Sequence, residues 1–124
     1  MTDITTTVDG YLTAWNERDP DRRGELVARY WAEDATLTDP PMTGAGHEGI
    51  SGMAATLHQQ FPDHRFVRTT GVDEHHGVLR FGWDLVGPDG APALSGIDVG
   101  LIGDDGRMTR VVGFFGDLPE REEA

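Results

Sequence analysis

The hydrophobic period of this chain changes from helical to strand-like near Pro62, and that switch limits the folds open to it more than any other feature. Before it, Ile4, Val8, Tyr11, Leu12 and Trp15 recur three and four residues apart, which predicts an amphipathic helix over 4–16. Asp19-Pro20 reads as a cap followed by proline at the first helical position. Leu26, Val27, Tyr30 and Trp31 supply the buried side of a second helix. TLTD at 36–39 is a short strand stopped by Pro40-Pro41, because proline cannot donate to a ladder. Ile50, Met53, Ala54, Leu57 and Phe61 mark a third helix, which Pro62 ends.

Beyond that point the period is two. RFVRTTGVDE (65–74) reads as a strand, HHG as a turn and VLRFGWDLVG (78–87) as a second strand. Leu79, Phe81, Trp83 and Leu85 share one face of it, and Arg80, Gly82 and Asp84 the other. GPDGAP turns the chain into ALSGIDVGLIG (93–103), and GDDG turns it into the last strand, RMTRVVGFFG. Helices followed by a run of strands predict an α+β fold. Three N-terminal helices pack on one face of a curved antiparallel sheet and close it into a cone with an apolar interior. The 124 residues suit one domain over 1–124, with a loose charged tail from about 119 to 124.

Absences narrow the chemistry. There is no cysteine, which excludes disulfides, thiolate nucleophiles and thiolate-bound metals. All ten basic residues are arginine, so neither a Schiff-base lysine nor a P-loop lysine is available. Ser51 and Ser95 are the only serines, and neither sits in a G-x-S-x-G elbow. Carboxylate, histidine, tyrosine and arginine chemistry remains. The net charge of −12 repels phosphate backbones and anionic lipid, so neither nucleic acid nor membrane is an expected partner. MTDITTT carries no secretory pattern, and no apolar run approaches the ~20 residues of a membrane helix; a cytoplasmic location is expected.

Within the 93–103 strand, Leu94, Gly96, Asp98, Gly100 and Ile102 alternate onto one face. Ile97, Val99 and Leu101 fill the other, so both faces look covered, and the flanking glycines leave space beside Asp98. A carboxyl buried without a cation has its pKa raised by up to ~3–5 units and stays protonated near neutrality. Asp39 and Tyr11 are ordinary taken singly, a turn aspartate before proline and a core tyrosine.

The three together carry a likeness. GYLTAWNERD, YWAEDATLTDPP and GIDVGLIGDDGRMTRVVGFFGD occur in an order and spacing that resembles the ketosteroid isomerase branch of the nuclear-transport-factor-like superfamily, from about Tyr11 to Asp117. The resemblance implies that Asp39 is a general base, and that Tyr11 and a neutral Asp98 donate to an enolate oxygen. GHEGI and RFGWDL are more similar to SnoaL-like polyketide cyclases, which use an acid/base aspartate on the same late strand. In a third branch, limonene epoxide hydrolase, a second aspartate is expected where this chain has Gly113.

The implied function is cofactor-free acid/base chemistry on a small apolar carbonyl compound. Isomerisation, aldol ring closure and ligand binding without turnover are the alternatives. Trp15, Met53, Leu57 and Phe115 are the expected cavity lining, with His47 at the mouth. No metal is expected: His75-His76 lies in a turn, and His47 and His58 are three helical turns apart. The superfamily likeness also implies a homodimer through the outer sheet face, burying Leu79, Phe81, Trp83 and Leu85 or their strand neighbours.

Overall fold

The computed structural model describes residues 3–40 and 42–122. Helix α1 runs Ile4–Asn16, and the Asp3 carboxylate caps it by accepting from the Thr5 N–H at 3.1 Å. Helix α2 runs Pro20–Tyr30; Asp19 accepts from the Arg22 N–H at 3.1 Å, and Pro20 stands where a missing N–H costs nothing. Strand β1 follows without a loop over Trp31–Asp39, then β2 over Met42–Ala45, and helix α3 over Gly46–Gln60. The remaining strands are β3 Arg65–Arg68, β4 Asp73–His75, β5 Val78–Val86, β6 Pro92–Ile102 and β7 Met108–Phe115.

These strands form one seven-stranded sheet in the order β2-β1-β7-β6-β5-β3, with β4 also paired to β5. The sheet is mixed, which corrects the all-antiparallel expectation. β1 and β7 run parallel, with Leu37 beside Val111 and Thr38 beside Val112. The stretch read as one strand over 65–74 is two, because the chain bends away at 69–72. There the Thr69 N–H donates to the Gly82 carbonyl, and the Thr70 hydroxyl accepts from the Gly82 N–H.

The three helices cover one face of the curved sheet, and the core lies between them. Trp31, Leu37, Ile50, Leu79, Met108, Val8, Val27 and Val111 are its largest fully buried side chains. Leu79, Phe81, Trp83 and Leu85 all point inward to this core, so they are not the outer-face residues that a sheet-to-sheet contact would bury. The outer face of β6 and β7 instead carries Ile97, Leu101 and Phe114, each more than one-third exposed. Residues 117–122 have no regular structure and are exposed; the last two residues of the expected tail, and Pro41, lie outside the described residues. Among the described residues no helix is long and apolar enough to cross a membrane.

Candidate active site

Three elements converge on one small cavity. β6 contributes Asp98 at its centre, β1 contributes Asp39 at its end, and α1 contributes Tyr11 from its buried stripe; all three line the cavity, with Leu12, Trp15, Phe66 and Trp83. The sheet register brings the two carboxyls together. Asp98 pairs across the ladder with Gly113 of β7, and Thr38 pairs with Val112 on the other side of the same strand, which sets Asp39 beside Gly113. A Cβ at position 113 would lie 2.6 Å from Asp39 Oδ1 and 2.8 Å from Asp98 Oδ1. Only glycine leaves both carboxyls where they are.

The two carboxyls are held differently. Asp98 is 5% exposed. The Tyr11 hydroxyl donates to its Oδ2, and the Trp83 Nε1–H donates to its Oδ1 at 3.0 Å. Burial pushes the Asp98 carboxyl up to about 6, and the hydrogen bonds from Tyr11 and Trp83 hold it back from going higher. Asp39 Oδ1 is buried with no hydrogen-bond partner. Its carboxyl is pushed up to about 7, first by burial and then by the neighbouring Asp98 charge. Tyr11 is pushed well above the usual phenol range, mainly by burial and next by the Asp98 charge. Two acids and a phenol thus face one void, and among the described residues no arginine or histidine lines it.

The glycines beside Asp98 do not leave open space, as the alternation alone suggests. A Cβ at Gly96 would stand 2.5 Å from Trp83 Cζ2 and 2.4 Å from the Phe114 carbonyl oxygen, so the indole lies across the place of that missing side chain. Gly100 is covered by Met108 and Leu79. Trp83 is the site residue that the sequence does not single out: its strand alternation allowed a core or a dimer-face position, and neither implies a hydrogen bond to Asp98. Its one signal is positional: Trp83 pairs with Gly96, and Phe81 with Asp98, so the indole starts one inward-facing row from the acid.

Of the other anticipated lining residues, Trp15 faces the cavity, and its Nε1 is buried without a partner. Met53 and Leu57 do not line it; they lie on the buried face of α3 and pack into the core. Phe115 does not line it either; it is partly exposed and edge-on to Trp83 with ring centroids 5.8 Å apart. His47 is turned away: its Nε2 lies 2.8 Å from the Trp31 carbonyl oxygen, and it borders a separate surface depression with Arg23 and Ser51. The cavity itself is narrow, about 10 Å³, room for about one water molecule. Among the described residues, no group of three or more His, Asp or Glu side chains is arranged to hold a metal ion.

Helices folded over a curved sheet, with two acids facing one cavity between them, make an α+β cone. The chain belongs to the SnoaL-like domain family, whose pattern matches residues 8–111. It is similar to the crystal structure of a proposed isomerase of the SnoaL-like family from Agrobacterium tumefaciens. The two are 42% identical with a TM-score of 0.88, and the match covers 94% of this chain and all of the other. A protein of ketosteroid isomerase-like fold from Catenulispora acidiphila, solved with trimethylamine, is 19% identical with a TM-score of 0.70, over 87% of this chain and 83% of that one. A proposed polyketide cyclase from Sinorhizobium meliloti is 19% identical with a TM-score of 0.66, over 88% and 94%. At that identity the last two share the fold alone. No curated protein sequence matches the chain.

Proposed function

We propose that this protein catalyses cofactor-free proton transfer on a small, uncharged carbonyl compound, through an enolate. The observation that carries the reading is the Asp39–Asp98 pair, two carboxyls raised to about 7 and about 6 beside one void. Such a pair supplies a base and an acid at the same pH. One carboxyl takes the proton from the carbon next to the carbonyl. The other, protonated, donates a hydrogen bond to the oxygen as negative charge develops there, which is the larger stabilising effect in enolate chemistry. The first carboxyl then returns its proton at another carbon, and the double bond has moved. No arginine lines the wall among the described residues, which favours an uncharged substrate; a void with room for about one water molecule has to widen to admit it.

Isomerisation is the preferred outcome, since the 42%-identical Agrobacterium protein is described as a proposed isomerase. Ring closure by attack of the enolate on a second carbonyl uses the same groups. Small ketones in heavy water test the common step: the wild-type protein should exchange deuterium next to the carbonyl, and Asp39→Asn and Asp98→Asn should not. No exchange above buffer by the wild-type protein would leave a binding protein, and equal exchange by all three would take the two carboxyls out of the chemistry. A conjugated-enone absorbance from an unconjugated enone would then separate isomerase from cyclase.

A homodimer through the outer face of β6 and β7 is part of the same proposal. Ile97 pairs with Phe114 and Val99 with Val112 across the two strands. The result is an apolar stripe on the face that the helices leave bare, with Arg80 on the neighbouring strand pairing with Val99.

A further inference from the structure

We propose that in the resting protein the single proton of the acid pair sits on Asp39, that Asp98 is the carboxylate, and that Trp83 is the positioning residue that holds this order. The inference rests on the proton-transfer reading and assigns its roles. Asp39 is the acid and Asp98 the base, the reverse of what the resemblance to ketosteroid isomerase implies.

Donors and acceptors decide it. Both Asp98 oxygens already receive a hydrogen, Oδ2 from the Tyr11 hydroxyl and Oδ1 from the Trp83 indole. An indole N–H can only donate. Hydrogen bonds received by a carboxyl favour its ionised form over its neutral one, and Asp98 receives two. The ionised form of Asp98 satisfies every donor that reaches it. Asp39 is the opposite case: Oδ1 is buried and no donor reaches it. A charge there would go unanswered, whereas a neutral acid loses much less on burial.

The groups that face Asp98 are Tyr11 from α1, Trp83 from β5, and Asp39 from β1 across Gly113 of β7; no cationic side chain lines the cavity to override them. The acidities run the same way, with Asp39 at about 7 and Asp98 at about 6. Trp83 is suited to the task because Gly96 leaves the indole room to lie across the strand and reach the acid. In turnover, the Asp98 carboxylate takes the carbon-bound proton and later returns it. The Asp39 O–H donates to the developing enolate oxygen and keeps its proton.

The test is an NMR titration of protein labelled with ¹³C at the aspartate carboxyl carbons, with Asp39→Asn and Asp98→Asn giving the assignments. The Asp98 signal should move at lower pH than that of Asp39. Trp83→Phe, which keeps the aromatic bulk and loses the N–H, should raise the Asp98 midpoint by about one unit, a tenfold change in acidity. Asp98 titrating above Asp39, or an unmoved Asp98 midpoint in folded Trp83→Phe, overturns the assignment. Should Trp83→Phe fail to fold, the order in the wild-type protein still decides which acid holds the proton. The readout requires no turnover. Absence of deuterium exchange would thus sink the proton-transfer reading without touching this order, and a reversed order would leave proton transfer intact with its roles exchanged.

Discussion

Asp39 and Asp98 occupy one row of the sheet on opposite sides of β7, and the residue between them is Gly113, the one residue type that lets both carboxyls turn into the same void. Gly113→Ala puts a methyl group 2.6 Å from Asp39 Oδ1 and 2.8 Å from Asp98 Oδ1. Both acids have to swing away. Turnover is expected to fall at least ~10²-fold, since displacements of about 1 Å cost that much, and stability by about 1–3 kcal/mol from overpacking. Steady-state kinetics beside a denaturant melt measure both. Full activity in Gly113→Ala would mean the pair is not the working unit.

The raised carboxyls make stability depend on pH with a definite sign. Each binds its proton more tightly folded than unfolded, so the folded state is favoured below about pH 4 and loses that advantage as pH rises through about 6 and 7. For Asp98 the difference is roughly 3 kcal/mol; Asp39 is partly solvated and contributes less. Asp98→Asn should flatten the slope, leaving the variant relatively more stable at pH 8 than at pH 4. Thermal melts by circular dichroism across pH 4–8 check this, and parallel curves for the two proteins would contradict it.

Tyr11→Phe removes the hydroxyl that donates to Asp98 Oδ2 and keeps the ring contacts to Trp31 and Phe81. One fewer donor raises the Asp98 midpoint, so the acid limb of the pH–rate profile should move upward. The maximal rate should fall as well, because one of the two donors that hold the Asp98 carboxyl in place is gone. A lower rate with an unshifted acid limb would place Tyr11 on the substrate alone.

The helices were legible because three turns of a 3.6-residue stripe leave little ambiguity and the Asp19-Pro20 cap has a local chemical cause; the Asp3 cap went unread, and Trp31, expected on the second helix, opens β1 instead. β2 was not. MTGA is four residues long and carries no alternation that a short-range pattern can register. The parallel pairing of β1 with β7 was also hidden, since local alternation says which face a side chain takes and nothing about which distant strand lies alongside. Asp98 stood out because a strand that is apolar on both sides had to explain a carboxyl. Trp83 did not, because a buried tryptophan has an ordinary explanation and its N–H partner is fixed only by the register with Gly96. Met53 and Leu57 share the core-facing stripe of α3, and their spacing alone does not separate the cavity from the packed interior beside it.

The proposed dimer is tested on the outer face. Phe114 is 60% exposed and pairs with Ile97. Phe114→Asp should halve the mass in sedimentation velocity and leave the fold intact. A wild-type protein already at monomer mass would end the proposal.

The position of β7 also bears on how the protein comes into being. Among the described residues this late strand is the only bridge between the strand of Asp39 and the strand of Asp98. During synthesis, more than half the chain must leave the ribosome after Asp39 before its parallel neighbour exists, and pairing over such separations is slow. A nascent chain halted at the GDDG turn would carry both acids and the tyrosine with nothing to hold them in register, so proton-transfer capability would arrive in one step, with the final strand.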